Sequence, residues 1–147
     1  MSIETTELTK HYGETRAVDG ISLTLPDEVR VVVLIGPSGG GKSTLLRLLG
    51  SLEAPSSGSI TRNGRVLPVT EEGRLEIRRR NGFLFQSFNL FPHLSALENI
   101  VLPLVRVHGR SRDEATARAR EVVARFGMED HVTKMPGELS GGQQQRI

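Results

Sequence analysis

Val31-Val32-Val33-Leu34-Ile35-Gly36-Pro37-Ser38-Gly39-Gly40-Gly41-Lys42-Ser43-Thr44 is the stretch that decides the fold. Its first five residues form a β-branched run with no polar face, the pattern of a strand buried on both sides in a parallel sheet. Gly36 to Ser43 then match G-x-x-x-x-G-K-[ST], and from Lys42 onward Leu45, Leu46, Leu48, Leu49 and Leu52 recur at helical spacing. The spacing predicts a helix packed on the strand and ending before Pro55. Strand, glycine loop and helix are the context this phosphate-binding motif requires. The glycines let successive backbone N–H groups turn inward around a phosphate, and the helix N-terminus adds partial positive charge. Lys42 is expected to reach the β and γ phosphates of a nucleotide. Ser43 offers its hydroxyl to a magnesium ion, which prefers hard oxygen ligands, and Thr44 can touch a neighbouring phosphate. In a chain of this composition the pattern arises by chance with a probability of roughly half a per cent.

Outward from that stretch, composition bounds the rest. The 147 residues, 37% hydrophobic and 24% charged, have a mean hydropathy of -0.22, which suits one globular domain and excludes disordered and collagenous classes. Cysteine is absent, so disulfide scaffolds, thiolate metal sites and cysteine nucleophiles are excluded. The four histidines share no metal-ligand spacing. Apolar runs as short as Val31 to Ile35 fall far below the roughly 20 residues that cross a bilayer. Met1 to Glu7 has neither a basic nor an apolar signal region, so the expectation is a soluble chain in the cytoplasm. A net charge of +2 is too small an excess to predict nucleic-acid binding, and Arg78-Arg79-Arg80 reads as the solvated end of a helix.

Residues 1 to 30 alternate polar and apolar positions between Gly13, Gly20 and Pro26, which predicts a small sheet of short strands. Asn63-Gly64 between two extended pieces marks a hairpin. A short helix is expected over residues 71 to 80, then a strand at Phe83-Leu84-Phe85. Ser95-x-x-Glu98 and Ser111-x-x-Glu114 fit the capping box that satisfies free amides at a helix start. In the second helix Ala115, Ala119, Val122, Val123 and Phe126 form the apolar face, Glu114/Arg118 and Glu121/Arg125 are expected to pair, and Gly127 stops it. Residues 87 to 138 therefore read as a helical insert.

The loop alone would suit kinases, GTP switches, helicases and transport motors alike. A second motif, Leu139-Ser140-Gly141-Gly142-Gln143, narrows the choice, because chance matches to its five fixed residues are about tenfold rarer than for the loop. The order Tyr12, phosphate loop, Gln86, Leu-Ser-Gly-Gly-Gln resembles the nucleotide-binding subunit of ATP-binding-cassette (ABC) transporters over essentially the whole chain. The run Phe85-Gln86-Ser87-Phe88-Asn89-Leu90-Phe91-Pro92-His93-Leu94-Ser95-Ala96-Leu97-Glu98-Asn99 looks most like cassettes of polar amino-acid importers, with those for lipoprotein release or macrolide export close behind.

The resemblance implies an α/β fold: a P-loop NTPase core of parallel sheet and helices, an N-terminal antiparallel β-subdomain and a helical insert. It divides residues 1–147 into a β-subdomain and core (1–86), a helical subdomain (87–138) and the start of the signature helix (139–147). It implies ATP and Mg2+ as cofactors. Tyr12 would stack on adenine with Val18 near the sugar, against the alternative of a lone surface tyrosine. Gly36, Pro37, Ser38, Gly39, Gly40, Gly41, Lys42, Ser43 and Thr44 would hold the phosphates. Gln86 would contact Mg2+ or the attacking water and sense a membrane partner, so Lys42 and Gln86 carry the catalytic roles and Ser43 and Gln86 the metal. Leu139, Ser140, Gly141, Gly142 and Gln143 would act on the γ-phosphate held by a second subunit in a head-to-tail dimer. Ser140-x-x-Gln143 is equally an ordinary capping box, which explains the serine but not two glycines. The implied partners are integral membrane permease subunits and a solute-binding protein, with no nucleic acid, which places the chain peripherally on the inner face of the membrane. Phe88, Leu90, Phe91 and Leu94 form an apolar cluster that could receive a permease helix or serve as local core.

Two departures from the family pattern stand out. Val29-Arg30 replaces the usual Gly-Glu before the buried run, and a β-branched residue disfavours a turn with positive φ. The residues end at Ile147, inside the helix that Ser140 begins, without the strand ending in Asp-Glu, the D-loop or the switch histidine. The reading is the N-terminal part of a transport ATPase, cut short at the C-terminus and expected to hydrolyse no ATP alone, since phosphoryl transfer needs an acidic magnesium partner and a water-positioning residue. A soluble ABC ATPase of DNA repair or translation is disfavoured, because no heptad run separates the two motifs. A GTP switch lacks its Asn-Lys-x-Asp motif, and a binding-only remnant remains a third class.

Overall fold

In the computed structural model, which describes residues 2–147, the alternating N-terminal pattern becomes two long antiparallel strands, β1 (Ile3–Tyr12) and β2 (Thr15–Leu25). They turn at Gly13, whose φ of 58° suits glycine. Their register slips three times between Thr5 and His11, and two buried threonines fill the gaps in the ladder. Thr5 Oγ1 donates to the Ile21 carbonyl at 2.9 Å and accepts the Leu23 N–H at 3.1 Å. Thr9 Oγ1 accepts the Gly20 N–H at 3.0 Å. Backbone groups stranded by the bulges are thus satisfied by side chains.

β3 (Ser57–Arg62) and β4 (Arg65–Val66) form the hairpin announced by Asn63-Gly64, both turn residues having positive φ as a type I′ turn demands. The strand order β2-β1-β3-β4 is antiparallel throughout. Helix α1 (Lys42–Leu49) lays Leu45 and Leu48 against Leu8, Val18 and Ile60 to make the core of this unit. Helix α2 (Glu71–Arg78) follows, capped by Thr70. At its end Arg78 pairs with Glu71 and Arg79 with Glu76, in keeping with a solvated helix terminus.

Two expected strands are absent. Val31–Ile35 has no regular secondary structure, and Val31 and Ile35 are 78% and 91% exposed. Only Leu34 packs against the core. A parallel strand is held by ladders to its neighbours, and no segment among the described residues pairs with this run. Phe83-Leu84-Phe85 is likewise irregular. Among the described residues the sheet is therefore the antiparallel one alone. Val29 and Arg30 both avoid positive φ, and Val29 N–H closes a turn on the Pro26 carbonyl at 3.1 Å.

The chain divides into two compact units, Met1–Phe83 and Leu84–Ile147. The second is helical: α3 (Ala96–Arg106), α4 (Arg112–Arg125) and the short α5 (Gly141–Gln144), with 3-10 turns at Glu129–His131 and Pro136–Glu138. Both expected capping boxes are present, from Ser95 with Glu98 and Ser111 with Glu114. Fully buried Ala115 and Ala119 of α4 meet Val101 of α3, small side chains that let the helices approach. Gly127, at φ 61°, stops α4. The ion pairs differ from expectation: Glu114 is taken by its own cap, and Arg118 donates to Glu121 at 2.7 Å. No helix among the described residues is long and apolar enough to cross a membrane.

Candidate nucleotide-binding site

The phosphate loop owes its shape to one steric demand. Gly41, the N-cap of α1, has φ 74°, and a Cβ there would lie 2.0 Å from the Ala17 carbonyl oxygen of β2. Only glycine lets the loop press on that strand. Gly39 also has positive φ, at 79°. The Gly40 N–H donates to the Pro37 carbonyl at 3.2 Å, closing the turn. Helices α2 to α5 each carry a side-chain cap at Thr70, Ser95, Ser111 or Ser140, whereas α1 has none. The amides of its first turn, Lys42, Ser43 and Thr44, are thus left without a side-chain acceptor, an arrangement that suits an anion. They surround a cavity of about 170 Å³ with Ala17, Gly39, Gly40 and Gly41.

Lys42 Nζ donates to the Gly36 carbonyl at 2.9 Å and the Pro37 carbonyl at 2.6 Å. An ammonium has three donors, so one remains for a phosphate oxygen. Ser43 is exposed at the second helical position. Its hydroxyl is the hard oxygen that magnesium accepts, but no cluster of three or more His, Cys, Asp or Glu occurs among the described residues. The donor set therefore fits magnesium held by Ser43 together with phosphate oxygens and water rather than an all-protein cage.

Tyr12, at the end of β1, is 46% exposed. Its hydroxyl donates to Glu53, whose carboxylate lies 3.5 Å from Arg47 of α1, so the hydroxyl is tied to the helix that begins at the loop. Hydrogen bonding to Glu53 holds this phenol above its ordinary pKa, keeping it a donor. Val18 is 3% exposed and packs in the core with Leu8 and Leu45, while also lining a cavity with Gly41 and Lys42.

Gln86 and the second motif lie in the helical unit. Gln86 is exposed in a turn instead of at a strand end, and Phe88 and Asn89 just after it both have positive φ, a conformation that costs energy in bulky residues. Ser140 caps α5: its Oγ accepts the Gln143 N–H at 3.3 Å, and Gln143 Oε1 accepts the Ser140 N–H at 2.9 Å. Leu139 is buried. Gly141 and Gly142 are exposed, lack positive φ, and a Cβ at either would meet nothing within 4 Å. Among the described residues, nothing in the packing requires glycine there.

Three participants escaped the sequence reading. Ala17 fixes Gly41 by its backbone, which no side-chain pattern reveals. Glu53 grips Tyr12 across 41 positions. His131 Nε2 lies 3.0 Å from Gln143 Nε2, and only chain folding brings them together. Asn99 is also structural: its side chain accepts the Phe91 N–H at 2.8 Å and donates to the Leu94 and Ser95 carbonyls at 3.0 Å, fixing the turn before α3.

A family model described as ABC transporter matches residues 18–147. The chain is 43% identical over 145 residues to the glutamine transport ATP-binding protein GlnQ of Escherichia coli K12, an alignment covering 99% of this chain and 60% of that protein. It is 42% identical over 151 residues to the lipoprotein-releasing system ATP-binding protein LolD of Geobacter metallireducens, covering 99% and 66%. Among solved structures, the ATP-binding cassette MJ0796 in a dimeric post-hydrolysis state bound to ADP and Pi is similar at a TM-score of 0.85 and 35% identity, over 98% of this chain and 66% of that one. The chain thus spans about 60% of the length of curated relatives such as GlnQ.

Proposed function

The chain belongs to the ABC transporter family, and from that premise we propose that it is part of an ATP-binding, ATP-hydrolysing subunit that energises solute transport through a separate membrane permease. The observation that carries this reading is the uncapped start of α1 behind Gly41, with Lys42 beside it. Backbone N–H groups and an ammonium converge where the β and γ phosphates of ATP would lie, and both bind charge without needing to move. Tyr12, half-exposed at the end of β1, supplies a π face for adenine. Ser43 would hold magnesium, which neutralises charge developing on the phosphates. Gln86 is the candidate for orienting water or sensing the permease.

Dimerisation follows from the second motif. Exposed Gly141 and Gly142 with open space around them support close approach by another molecule, and we assign that place to the γ-phosphate held by a second, head-to-tail subunit. The groove of about 320 Å³ lined by Leu90, Phe91, Leu102, Pro103 and Val107 suits a permease helix. A polar amino acid is the preferred solute, supported by the Phe85 to Asn99 run and by the glutamine transport relative. Lipoprotein release is the second reading, favoured by the lipoprotein-releasing relative.

Calorimetry with ATP tests the site. Lys42→Ala removes a charge-assisted contact of roughly 1.5–3 kcal/mol, a loss of about ten- to a hundredfold in affinity. Unchanged affinity in a folded variant would refute the assignment.

A further inference from the structure

Tyr12 is gripped by more than its own strand. Its hydroxyl donates to Glu53 Oε2, and the Lys10 ammonium stands 5.4 Å from the centroid of its ring. Glu53 is itself held in place: Lys10 Nζ lies 3.7 Å from Oε2 and Arg47 NH1 3.5 Å from Oε1, with the carboxylate side chain 24% exposed. Lys10 is anchored separately by donating to the Ala54 carbonyl at 2.8 Å. The backbone of Glu53 sits just past α1, where the neighbouring Leu52 N–H donates to the Arg47 carbonyl at 2.8 Å. The carboxylate is therefore fixed by the same helix that begins at the phosphate loop.

An aromatic ring without a tether samples several χ1 and χ2 settings, and a base that stacks on it must first stop that motion. Here the hydroxyl is tied at one end and a cation lies over the ring, which leaves the face away from Lys10 as the docking face. We propose that Glu53 is a positioning residue for nucleotide recognition, orienting Tyr12 through its hydroxyl so that a purine base stacks on the face opposite Lys10. This rests on the reading of Tyr12 as the base platform.

The test compares ATP with inorganic tripolyphosphate, which engages the loop but has no base, by calorimetry on the full chain. A ring freed from this tether must be immobilised by the base on binding, which should cost about three- to tenfold in ATP affinity. Tyr12→Phe, which keeps the ring, and Glu53→Ala should each show that loss while tripolyphosphate binding stays at the wild-type level. Combining them should be no worse than either alone, since both break one contact. Glu53→Gln, which keeps an acceptor, should recover most of the affinity. Wild-type ATP affinity in Tyr12→Phe and Glu53→Ala alongside a loss in Tyr12→Ala would overturn the role of Glu53 and leave the platform standing. Equal losses for ATP and tripolyphosphate in Glu53→Ala would overturn it too, placing that residue in loop or fold maintenance. Tyr12→Ala with unchanged ATP affinity would remove the platform itself.

Discussion

The Lys42 ammonium donates to the Pro37 carbonyl oxygen at 2.6 Å, so the lysine of the phosphate loop is folded onto the loop that carries it. The same carbonyl accepts the Gly40 N–H. A bound phosphate must share this ammonium with the loop. Lys42→Arg keeps the charge but replaces a compact head with a planar fork, which cannot donate to the Gly36 and Pro37 carbonyls from one point. ATP affinity should fall in Lys42→Arg nearly as far as in Lys42→Ala, measured by calorimetry. Wild-type affinity in the arginine variant would show that charge alone suffices.

Gly41 and Gly142 make opposite predictions. Gly41→Ala forces a Cβ into the Ala17 carbonyl at positive φ, so stability should drop by about 1–3 kcal/mol or more and ATP binding should be lost. Chemical denaturation with and without ATP measures both.

Gly142→Asp should leave monomer stability and ATP affinity intact, because the side chain meets open space and a carboxylate suits the first turn of a helix. In the whole subunit of which this chain is proposed to be part, it should abolish ATP-driven dimerisation and hydrolysis, by putting a carboxylate at the place assigned to the partner's γ-phosphate. Loss of ATP affinity in the monomer would instead place the motif in the subunit's own site. Light scattering and phosphate release separate the two.

Gln143 Oε1 accepts the Ser140 N–H, so its amide nitrogen must face His131 Nε2 as the donor. The imidazole proton then sits on Nδ1, a buried atom with no hydrogen-bond partner among the described residues. Long-range proton–nitrogen NMR should find the Nδ1–H tautomer at His131. Observation of Nε2–H would mean that the Gln143 amide is turned the other way.

Acid sensitivity should come partly from the helix caps. Backbone and hydroxyl donors of Ser95 hold Glu98 below its ordinary 4.5, and the hydroxyl and backbone of Ser111 do the same for Glu114. A depressed carboxyl stabilises the fold fully above the unfolded value and loses that contribution as pH falls through the lower, folded value. The caps should therefore weaken below about pH 4.5. Glu98→Gln combined with Glu114→Gln should flatten the acid limb of urea-melt stability between about pH 5 and pH 2. An unchanged limb would assign acid unfolding to other carboxylates.

Local chemistry made much of this protein legible before folding. Asn63-Gly64 specified its turn because both residues tolerate positive φ, Ser95-x-x-Glu98 and Ser111-x-x-Glu114 specified helix starts through bonds three residues apart, and Gly36 to Ser43 specified a glycine loop leading into a helix with no side-chain cap. All of these interactions close within a few residues. Val31 to Ile35 reads as a buried strand, but strand formation depends on partners elsewhere, and among the described residues none pairs with it. The Ala17 carbonyl that makes Gly41 indispensable, the Glu53 carboxylate on Tyr12 and the His131 ring on Gln143 were likewise decided only by tertiary structure. Each is a contact between residues at least 12 positions apart, and no periodicity in the chain encodes which distant groups folding will bring to within 3 Å.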